Sequence, residues 1–331
     1  MTPRDAATPR RAAVVYNPVK VDVDRLRAAV AAAESSAGWA KSLWLETSEE
    51  DPGIGQAHEA LRQGVDTVIA AGGDGTVRAV AQGLQNTGVA LALLPSGTGN
   101  LLARNLGLDV NSSHMESSVG VAFTGYDSAI DVGVVEIDRP DGTSETHSFV
   151  VMAGLGLDAK MIANTNPELK KRVGWLAYVD AIGRSLVDKQ VLRLRYRLDG
   201  GEERLSRVHT ILIGNCGSLP GNILLLPDAE IDDGLFDIVT LRPEGFGGWA
   251  RVWVGIVWEN GVLRRSTIGR RLLDLRQRPV RALRYLRGRR IEGRLDRPEE
   301  FELDGDECGE IVAFRARVDS AALIVRLPRA S

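Results

Sequence analysis

The stretch Val65–Leu84, VDTVIAAGGDGTVRAVAQGL, decides the fold that this chain is expected to adopt. The apolar run DTVIAA is typical of a buried strand, and the residues after the glycines place apolar side chains on one face of a helix. Between these elements, Gly72, Gly73 and Gly75 let the backbone bend tightly and let a ligand approach the main-chain amides. Because the N-terminus of a helix carries a partial positive charge, the stretch predicts a site for phosphate groups.

Asp74 is the unexpected residue in this turn. A carboxylate beside phosphate groups would repel them, so its presence is explained if a divalent cation, most plausibly Mg²⁺, lies between the two. The alternative is an ordinary tight turn in which Asp74 caps a helix. The motif alone leaves both interpretations open.

A second turn of the same kind follows at residues 89–108, VALALLPSGTGNLLARNLGL, where a strand again leads through a polar glycine turn into a helix. Asn17-Pro18 closes the first predicted strand. Ligands of parallel sheets bind beyond the carboxyl ends of the strands, so these three segments are expected at one edge. Neither turn has the spacing of the P-loop or of the dinucleotide-binding turn, so those two mechanisms are not indicated.

The composition is that of a globular protein, and 331 residues with 44% hydrophobic content suggest two domains. Two cysteines, Cys216 and Cys308, are too few for a disulfide framework and favour a reducing cytoplasm. We find no signal peptide and no apolar run near the roughly 18–20 residues that cross a bilayer. Neither the cysteines nor the four histidines have metal-ligand spacing, and we expect structural or surface roles for them.

The net charge of −3 hides a strongly basic segment, since residues 249–297 contain 14 Arg, no Lys and 4 acidic residues. Together with Trp249, Trp253, Trp258 and Tyr285, the arginines favour a segment that docks on an anionic membrane surface. The alternative is a helical subdomain with the tryptophans in its core. The aromatic residues do not form a stacking platform, so nucleic acid is not an expected partner.

The pattern of apolar runs changes along the chain. In the N-terminal third, short strands alternate with helices, which predicts a parallel sheet covered by helices. From about Asp131 the runs become strand-like with a period of two, which predicts a mostly β second domain. Helical stretches are expected within it at about 168–189 and in the arginine-rich region.

A set of motifs resembles the soluble diacylglycerol kinase and lipid kinase family, which includes the sphingoid-base kinases. In chain order the motifs are Asn17-Pro18, GGDGT at 72–76, PSGTGN at 95–100, GLGLDA at 154–159, KKRVGWLAY at 170–178, PDAEIDDGLFDIV at 227–239 and LDGDE at 303–307. The resemblance covers about residues 12–328. It implies an N-terminal three-layer α/β nucleotide-binding domain, similar to those of NAD kinases and diacylglycerol kinases, and a C-terminal β-sandwich domain.

The resemblance also implies domain boundaries. The ATP-binding domain is expected at 10–130 and is completed by about 316–331. The lipid-substrate domain is expected at 131–315, with a helical, arginine-rich insertion at about 246–297. By resemblance, the residues that contact the nucleotide are Asn17, Pro18, Thr47, Gly72, Gly73, Asp74, Gly75, Thr76, Val77, Arg78 and Thr98.

The family resemblance further implies a metal site and a general base. The expected Mg²⁺ ligands are the Asp233 carboxylate and the main-chain carbonyls of Glu230 and Leu235. Where the family has Glu in an Asp-Gly-Glu turn, this chain has Asp306, which we expect to act as the catalytic base, with Glu307 as the alternative. Asp74 is the second expected catalytic residue. Many relatives carry Asp at the position of Leu101, so the acidic network around the metal is reduced here.

The function predicted from the resemblance is an ATP- and Mg²⁺-dependent lipid kinase that converts diacylglycerol to phosphatidic acid in phospholipid biosynthesis. The alternatives are a sphingoid-base kinase, an NAD kinase, or a catalytically weak homologue that senses nucleotide or lipid. The expected location is the cytoplasm, with reversible association with the inner face of the membrane, where the lipid substrate lies. A homodimer is left open.

Overall fold

The computed structural model describes residues 9–156, 191–219, 223–242 and 283–329. The described residues form two compact units. Unit 1 comprises those up to Val132 and those from Ser320 onwards, and unit 2 comprises those from Gly133 to Asp319. The division falls within two long strands, β5 (Tyr126–Asp138) and β16 (Asp306–Leu327).

Unit 1 is built on a parallel sheet. Its first four strands are β1 (Arg11–Tyr16), β2 (Ala40–Glu46), β3 (Thr67–Gly72) and β4 (Ala90–Pro95), and the order is β2-β1-β3-β4-β16. All six residues of β3 are buried, since the strand has a neighbour on each side and helices on both faces. This explains why its sequence is a continuous apolar run instead of an alternating one.

Five α-helices accompany this sheet: α1 (Val23–Ala37), α2 (Ile54–Arg62), α3 (Asp74–Leu84), α4 (Leu101–Asn105) and α5 (Met115–Thr124). Asp22 is the N-cap residue of α1, and its carboxylate accepts a hydrogen bond from the Arg25 amide. The C-cap residue is Gly38, which has the left-handed backbone conformation. Among the described residues, no helix is both long enough and apolar enough to cross a bilayer.

The helices cover both faces of the sheet. On one face, alternate residues of β1, β3 and β4 form a core with Leu26 and Val30 of α1 and with Val119 and Phe123 of α5. Helices α2 and α3 contact each other, and α3 contacts β3 and β4. The predicted three-layer α/β arrangement is therefore confirmed.

Unit 2 consists of antiparallel strands in its described part. The strands besides β5 and β16 are β6 (Ser144–Phe149), β7 (Met152–Leu155), β8 (Leu192–Leu198), β9 (Arg204–Val208), β10 (Thr210–Gly214), β11 (Ser218–Leu219), β12 (Ile223–Leu224), β13 (Phe236–Leu241), β14 (Leu283–Gly288) and β15 (Arg290–Leu303). β15 is shared between two groups of strands, since its first part pairs with β8 and its last residues pair with β7.

The core of unit 2 is rich in phenylalanine. Phe149 stacks on Phe236 with ring centroids 5.5 Å apart, and Phe301 stacks on Phe314 at 5.9 Å. Gly133 allows this packing, because a Cβ atom there would lie 2.2 Å from the Phe149 ring. The predicted mostly β second domain is confirmed.

One part of the predicted helical insertion is wrong. Residues 283–288 form β14, and residues 290–297 belong to β15. In β15, Ile291 and Gly293 are buried, whereas the neighbouring Arg290 and Arg294 are exposed. The density of arginine obscured this period of two, because arginine on the exposed face of a strand resembles arginine on a solvated helix. The rest of the predicted insertion, and the predicted helix at 168–189, lie outside the described residues.

Candidate active site

The two glycine turns of unit 1 pack directly against each other at the carboxyl ends of β3 and β4. Gly72 is paired with Pro95 in the sheet, and the Ser96 amide donates to the Gly72 carbonyl at 3.1 Å. A Cβ atom at Gly97 would lie 2.9 Å from the Cα of Gly73, so no side chain fits there without moving the other turn. The glycines are therefore needed for the close approach of the two turns.

Asp74 links the two turns through its carboxylate. One carboxylate oxygen accepts a hydrogen bond from the Asn100 amide at 2.9 Å, and the other accepts one from the Leu101 amide at 2.6 Å. These amides lie at the N-terminus of α4, where backbone donors have no partner within the helix. Asp74 thus caps the neighbouring helix, which gives one reason for a carboxylate at this position, while a cation beside it stays a prediction.

The second turn is held in shape by Asn100. This buried residue has a left-handed backbone with φ of 48°, and its side-chain amide exchanges two hydrogen bonds of 2.9 Å with the main chain of Gly97. The substitution of Leu101 for the acidic residue of many relatives does not affect the contact with Asp74, because the contact uses the backbone amide of Leu101.

The N-terminus of α3 lies in the first of these two turns. The helix begins at Asp74, and its N-cap residue is Gly73, which has no side chain to cap the first amides. Gly73, Asp74 and Gly75 are only partly buried, and Thr98 in the facing turn is exposed. A helix N-terminus without a side-chain cap, lined by glycine, is a good site for an anion.

The ends of the first two strands reach the same edge. The Asn17 amide donates to the Ala71 carbonyl at 2.9 Å, and the Thr47 amide donates to the Tyr16 carbonyl at 3.0 Å. The Thr47 hydroxyl also donates to Tyr16, at 3.3 Å, and Pro18 is exposed. The structure thus brings the predicted nucleotide-contacting residues to one edge of the sheet of unit 1, while their contact with a nucleotide stays a prediction.

The turn that is predicted to bind Mg²⁺ lies in unit 2, and an arginine side chain contacts it. One oxygen of the Asp233 carboxylate accepts the Leu235 amide at 3.0 Å, and the other is ion-paired with Arg287. The Arg287 guanidinium also lies 3.2 Å from the carboxylate of Asp237. Glu230 is exposed.

A single guanidinium, that of Arg287, lies beside the carboxylates of Asp233 and Asp237 in this turn. Burial raises the pKa of the Asp237 carboxyl, and the nearby Arg287 guanidinium opposes the rise. The charge of Asp237, in turn, raises the pKa of Arg287. The binding of Mg²⁺ by Asp233 and by the carbonyls of Glu230 and Leu235 stays a prediction. Among the described residues, no group of three His, Cys, Asp or Glu side chains could hold a metal.

The predicted base lies at a tight hairpin between β15 and β16. Asp304 and Gly305 both have positive φ, of 52° and 91°, as a two-residue type I′ turn requires. Leu303 and Asp306 are paired on either side of it. The side chain of Asp306 is partly buried and that of Glu307 is exposed.

Asp304 is the functional residue that sequence reasoning missed. Its carboxylate is buried and accepts three hydrogen bonds of 2.8–2.9 Å from the amides of Val150, Val151 and Met152. Its own amide donates to the Met152 carbonyl at 2.8 Å. Asp304 therefore fixes the turn that carries Asp306. The available signal was the Asp-Gly pair itself, because Asp tolerates positive φ and can bind backbone amides.

Comparison with known proteins places these features in a family. The family model of the diacylglycerol kinase catalytic domain matches residues 11–135, and the model of the YegS C-terminal NAD kinase beta sandwich-like domain matches residues 150–248. A "Probable lipid kinase YegS-like" protein of Pseudomonas aeruginosa is 32% identical over 222 residues, which cover 66% of this chain and 68% of that protein. The chain belongs to the diacylglycerol kinase and YegS-like family of lipid kinases.

A further relative and two solved structures are also similar to the chain. A diacylglycerol kinase of Mycobacterium tuberculosis is 30% identical over 197 residues, which cover 57% of this chain but only 62% of that protein. The crystal structure of a diacylglycerol kinase from Bacillus anthracis superposes with a TM-score of 0.65 at 17% identity and covers 97% of this chain and 98% of that one. Yeast NADH kinase shares the fold with a TM-score of 0.53 at 8% identity. The predicted fold class, with its C-terminal β-sandwich, is confirmed.

Proposed function

We propose that this protein is a lipid kinase that transfers the γ-phosphoryl group of ATP to a lipid hydroxyl, with diacylglycerol as the acceptor and phosphatidic acid as the product. Its membership of a lipid kinase family supports the class of reaction. The observation that carries the proposal is the N-terminus of α3, whose N-cap residue is a glycine and which lies beside a second glycine turn.

In this proposal the phosphates of ATP bind the amides at the start of α3. Gly73 and Gly75 leave room for the phosphate oxygens, and the helix supplies partial positive charge. In the same turn, Asp74 holds the N-terminus of α4, and with it the turn at 95–100, in the shape that faces α3.

ATP carries its own Mg²⁺ ion, which is part of the substrate and offsets charge on the phosphates during transfer. The proposed reaction has no step that uses a metal ion bound at Asp233, because the Arg287 guanidinium contacts the carboxylates of that turn. Positioning of the two substrates is the main contribution of the protein to such a reaction.

Asp306 is proposed as the general base. The oxygen of the lipid hydroxyl forms a bond to the γ-phosphorus, the bond from that phosphorus to the bridging oxygen of ADP breaks, and the hydroxyl proton passes to the Asp306 carboxylate. Asp304 is a positioning residue, since its three backbone contacts hold the hairpin that carries Asp306. We further propose reversible association with the membrane surface, because the lipid acceptor lies there.

The test is transfer of ³²P from labelled ATP into vesicles that contain diacylglycerol, with a sphingoid base and NAD as parallel acceptors. We expect label in phosphatidic acid. Label in NAD alone, or no label in any acceptor, would overturn the proposal. Asp306→Asn should abolish transfer and preserve ATP binding, whereas its neighbour Glu307→Gln should retain activity; the reverse result would move the role of base to Glu307.

A further inference from the structure

Cys308 lies in unit 2 within a cluster of charged side chains that the proposed reaction does not use. It follows Asp306 by two residues on β16 and is partly buried. A guanidinium nitrogen of Arg139 lies 3.9 Å from its sulfur, and another donates to its main-chain carbonyl. The same guanidinium donates to the Glu145 carboxylate at 2.8 Å. Arginine can approach because the next residue is Gly309, where a Cβ atom would lie 2.9 Å from it.

His147 completes the cluster from β6. Its Nε2 lies 3.0 Å from the Glu145 carboxylate, and the side chain of Cys308 is also close to the ring. The contact with Cys308, followed by that with Glu145, raises the pKa of the imidazole against the opposing effect of burial. The sulfur therefore lies close to the Arg139 guanidinium and the His147 imidazole, and Glu145 contacts both of these groups. A guanidinium beside a sulfur favours the thiolate, which is the nucleophilic form of cysteine.

Cys216, the other cysteine of the chain, has the opposite surroundings. It is buried, its thiol donates to the Val150 carbonyl at 3.4 Å, and burial raises its pKa well above the ordinary value. Apolar burial suppresses the thiolate and excludes reagents. The two cysteines thus differ in access and in charge, and Cys216 serves as an internal control for Cys308.

We propose that Cys308 is a reactive thiolate, a site for covalent modification by peroxides and by soft alkylating electrophiles, and that modification at this position stops lipid phosphorylation. With hydrogen peroxide, the thiolate sulfur attacks one oxygen, the S–O bond forms and the O–O bond breaks. The sulfur is oxidised to a sulfenic acid and the peroxide is reduced, and the departing hydroxide takes up the proton that the thiol has released and leaves as water.

The effect on turnover rests on the proposed function, in which Asp306 is the base. Cys308, Asp306 and the Asp304 turn belong to one short segment of backbone. An added oxygen or acetamide group on the sulfur has to displace Arg139 or His147, both of which contact it. That displacement shifts the start of β16 and, with it, Asp306.

The first test measures the reactivity of the thiol alone. Full-length protein is treated with iodoacetamide at pH 7, and intact mass spectrometry with peptide mapping follows the product. We expect one added group, on Cys308, at a rate about tenfold above that of the same cysteine in the denatured chain, and none on Cys216. Arg139→Gln and His147→Gln should each slow the reaction, Cys216→Ser should leave it unchanged, and Cys308→Ser should abolish it.

Equal rates in the folded and denatured protein, or equal labelling of the two cysteines, would overturn the reactive thiolate. Because this readout needs no substrate, it stands even if the protein transfers no phosphate to lipid. A failure of the proposed function is therefore separable from a failure of the thiol proposal.

The second test addresses the consequence for activity. Wild type and Cys308→Ser are exposed to hydrogen peroxide, the sulfenic acid is trapped with dimedone in a parallel sample, and ³²P transfer to diacylglycerol is measured. We expect the wild type to lose at least nine-tenths of its activity and to recover it with dithiothreitol, while Cys308→Ser retains its activity. Full activity of the wild type with trapped sulfenic acid on Cys308 would overturn the inhibitory effect.

Discussion

Each unit contains a turn in which an Asp carboxylate accepts hydrogen bonds from backbone amides, but we assign different roles to the two turns. In unit 1 the Asp74 carboxylate accepts two amides of a neighbouring segment, and a glycine is the N-cap residue of its own helix. In unit 2 the Asp304 carboxylate accepts three amides of another segment and is itself buried. The first turn contains the N-terminus of a helix at a partly exposed edge, whereas the second joins two strands.

The difference shows how a turn that binds a ligand can be distinguished from a turn that stabilises the fold. Both contain Asp beside Gly, and both look alike in the sequence. What distinguishes them is whether the turn contains the N-terminus of a helix. We therefore expect the turn at 72–76, where α3 begins, to bind an anion, whereas the carboxylate of Asp304 holds the turn at 303–306 in place.

The largest expected effect is at Asp304. Asp304→Ala leaves three buried amides without an acceptor, which should lower the free energy of unfolding by about 3–5 kcal/mol, measured by urea denaturation. Asp199→Ala is the matched control, because that carboxylate accepts the amides of Arg289 and Arg290 on the exposed surface, and we expect it to cost about 1 kcal/mol or less. Equal losses in the two variants would show that burial of Asp304 does not matter.

Asp74 should show a smaller loss of stability, together with a loss of activity. In Asp74→Asn one of the two amides of α4 meets a side-chain NH₂ group, so the free energy of unfolding should fall by about 1–3 kcal/mol. The Mg²⁺ concentration that gives half-maximal activity should stay the same.

The control for Asp74 is Asp51→Asn. Asp51 accepts the amides of Gly53 and Gly55 at the start of α2, so its substitution should cost stability while preserving ATP affinity. If Asp74→Asn instead keeps full stability and needs about ten times more Mg²⁺, the carboxylate acts on a cation and the capping account is wrong.

Arg287 allows a test of the metal turn. Arg287→Met leaves Asp233 and Asp237 facing each other without a cation, which should cost about 1 kcal/mol, because the guanidinium is partly exposed to solvent. Millimolar Mg²⁺ without nucleotide should then raise the melting temperature of the variant and not that of the wild type. A wild-type melting temperature that rises with Mg²⁺ and no longer does so in Asp233→Asn would establish a resident metal.

The smallest expected effect concerns acid stability in unit 2. Hydrogen bonds from Arg315 lower the pKa of both Glu136 and Asp138. A carboxyl group with a pKa below its unfolded value stabilises the fold above that unfolded value, near pH 4, and loses its contribution as the pH falls further. Arg315→Met should therefore reduce the difference in unfolding free energy between pH 6 and pH 3, measured by urea denaturation. An unchanged difference would show that the ion pairs contribute nothing.

The sheet of unit 1 could be predicted from the sequence because its signals are local. Residues 65–84 contain a strand, a turn and a helix within one continuous stretch, and parallel strands bring successive turns to one edge. The partners of the charged side chains could not be predicted in the same way. The amides bound by Asp304 lie more than 150 residues away, and Arg287 lies 54 residues from Asp233.

The role of Asp74 shows the limit of local reasoning more directly. The sequence offers a cation or a helix cap as the reason for the carboxylate, and the helix expected for the cap is the one that Asp74 begins. The structure assigns the cap to the next helix, whose amides come from Asn100 and Leu101. Such a contact depends on how two turns pack against each other. The periodicity of apolar residues in the sequence carries no information about that packing.

The most direct test of the account is the affinity for Mg·ATP, measured by calorimetry on wild type, Gly73→Ala and Gly120→Ala. Alanine fits the backbone at Gly73, where its Cβ would lie 3.9 Å from the Cα of Gly97, but its methyl group adds bulk at the N-cap position of α3. A Cβ at Gly120 in α5 meets nothing within 4 Å. We predict at least about tenfold weaker binding for Gly73→Ala at unchanged stability, and wild-type binding for Gly120→Ala. Wild-type affinity in Gly73→Ala would contradict the account.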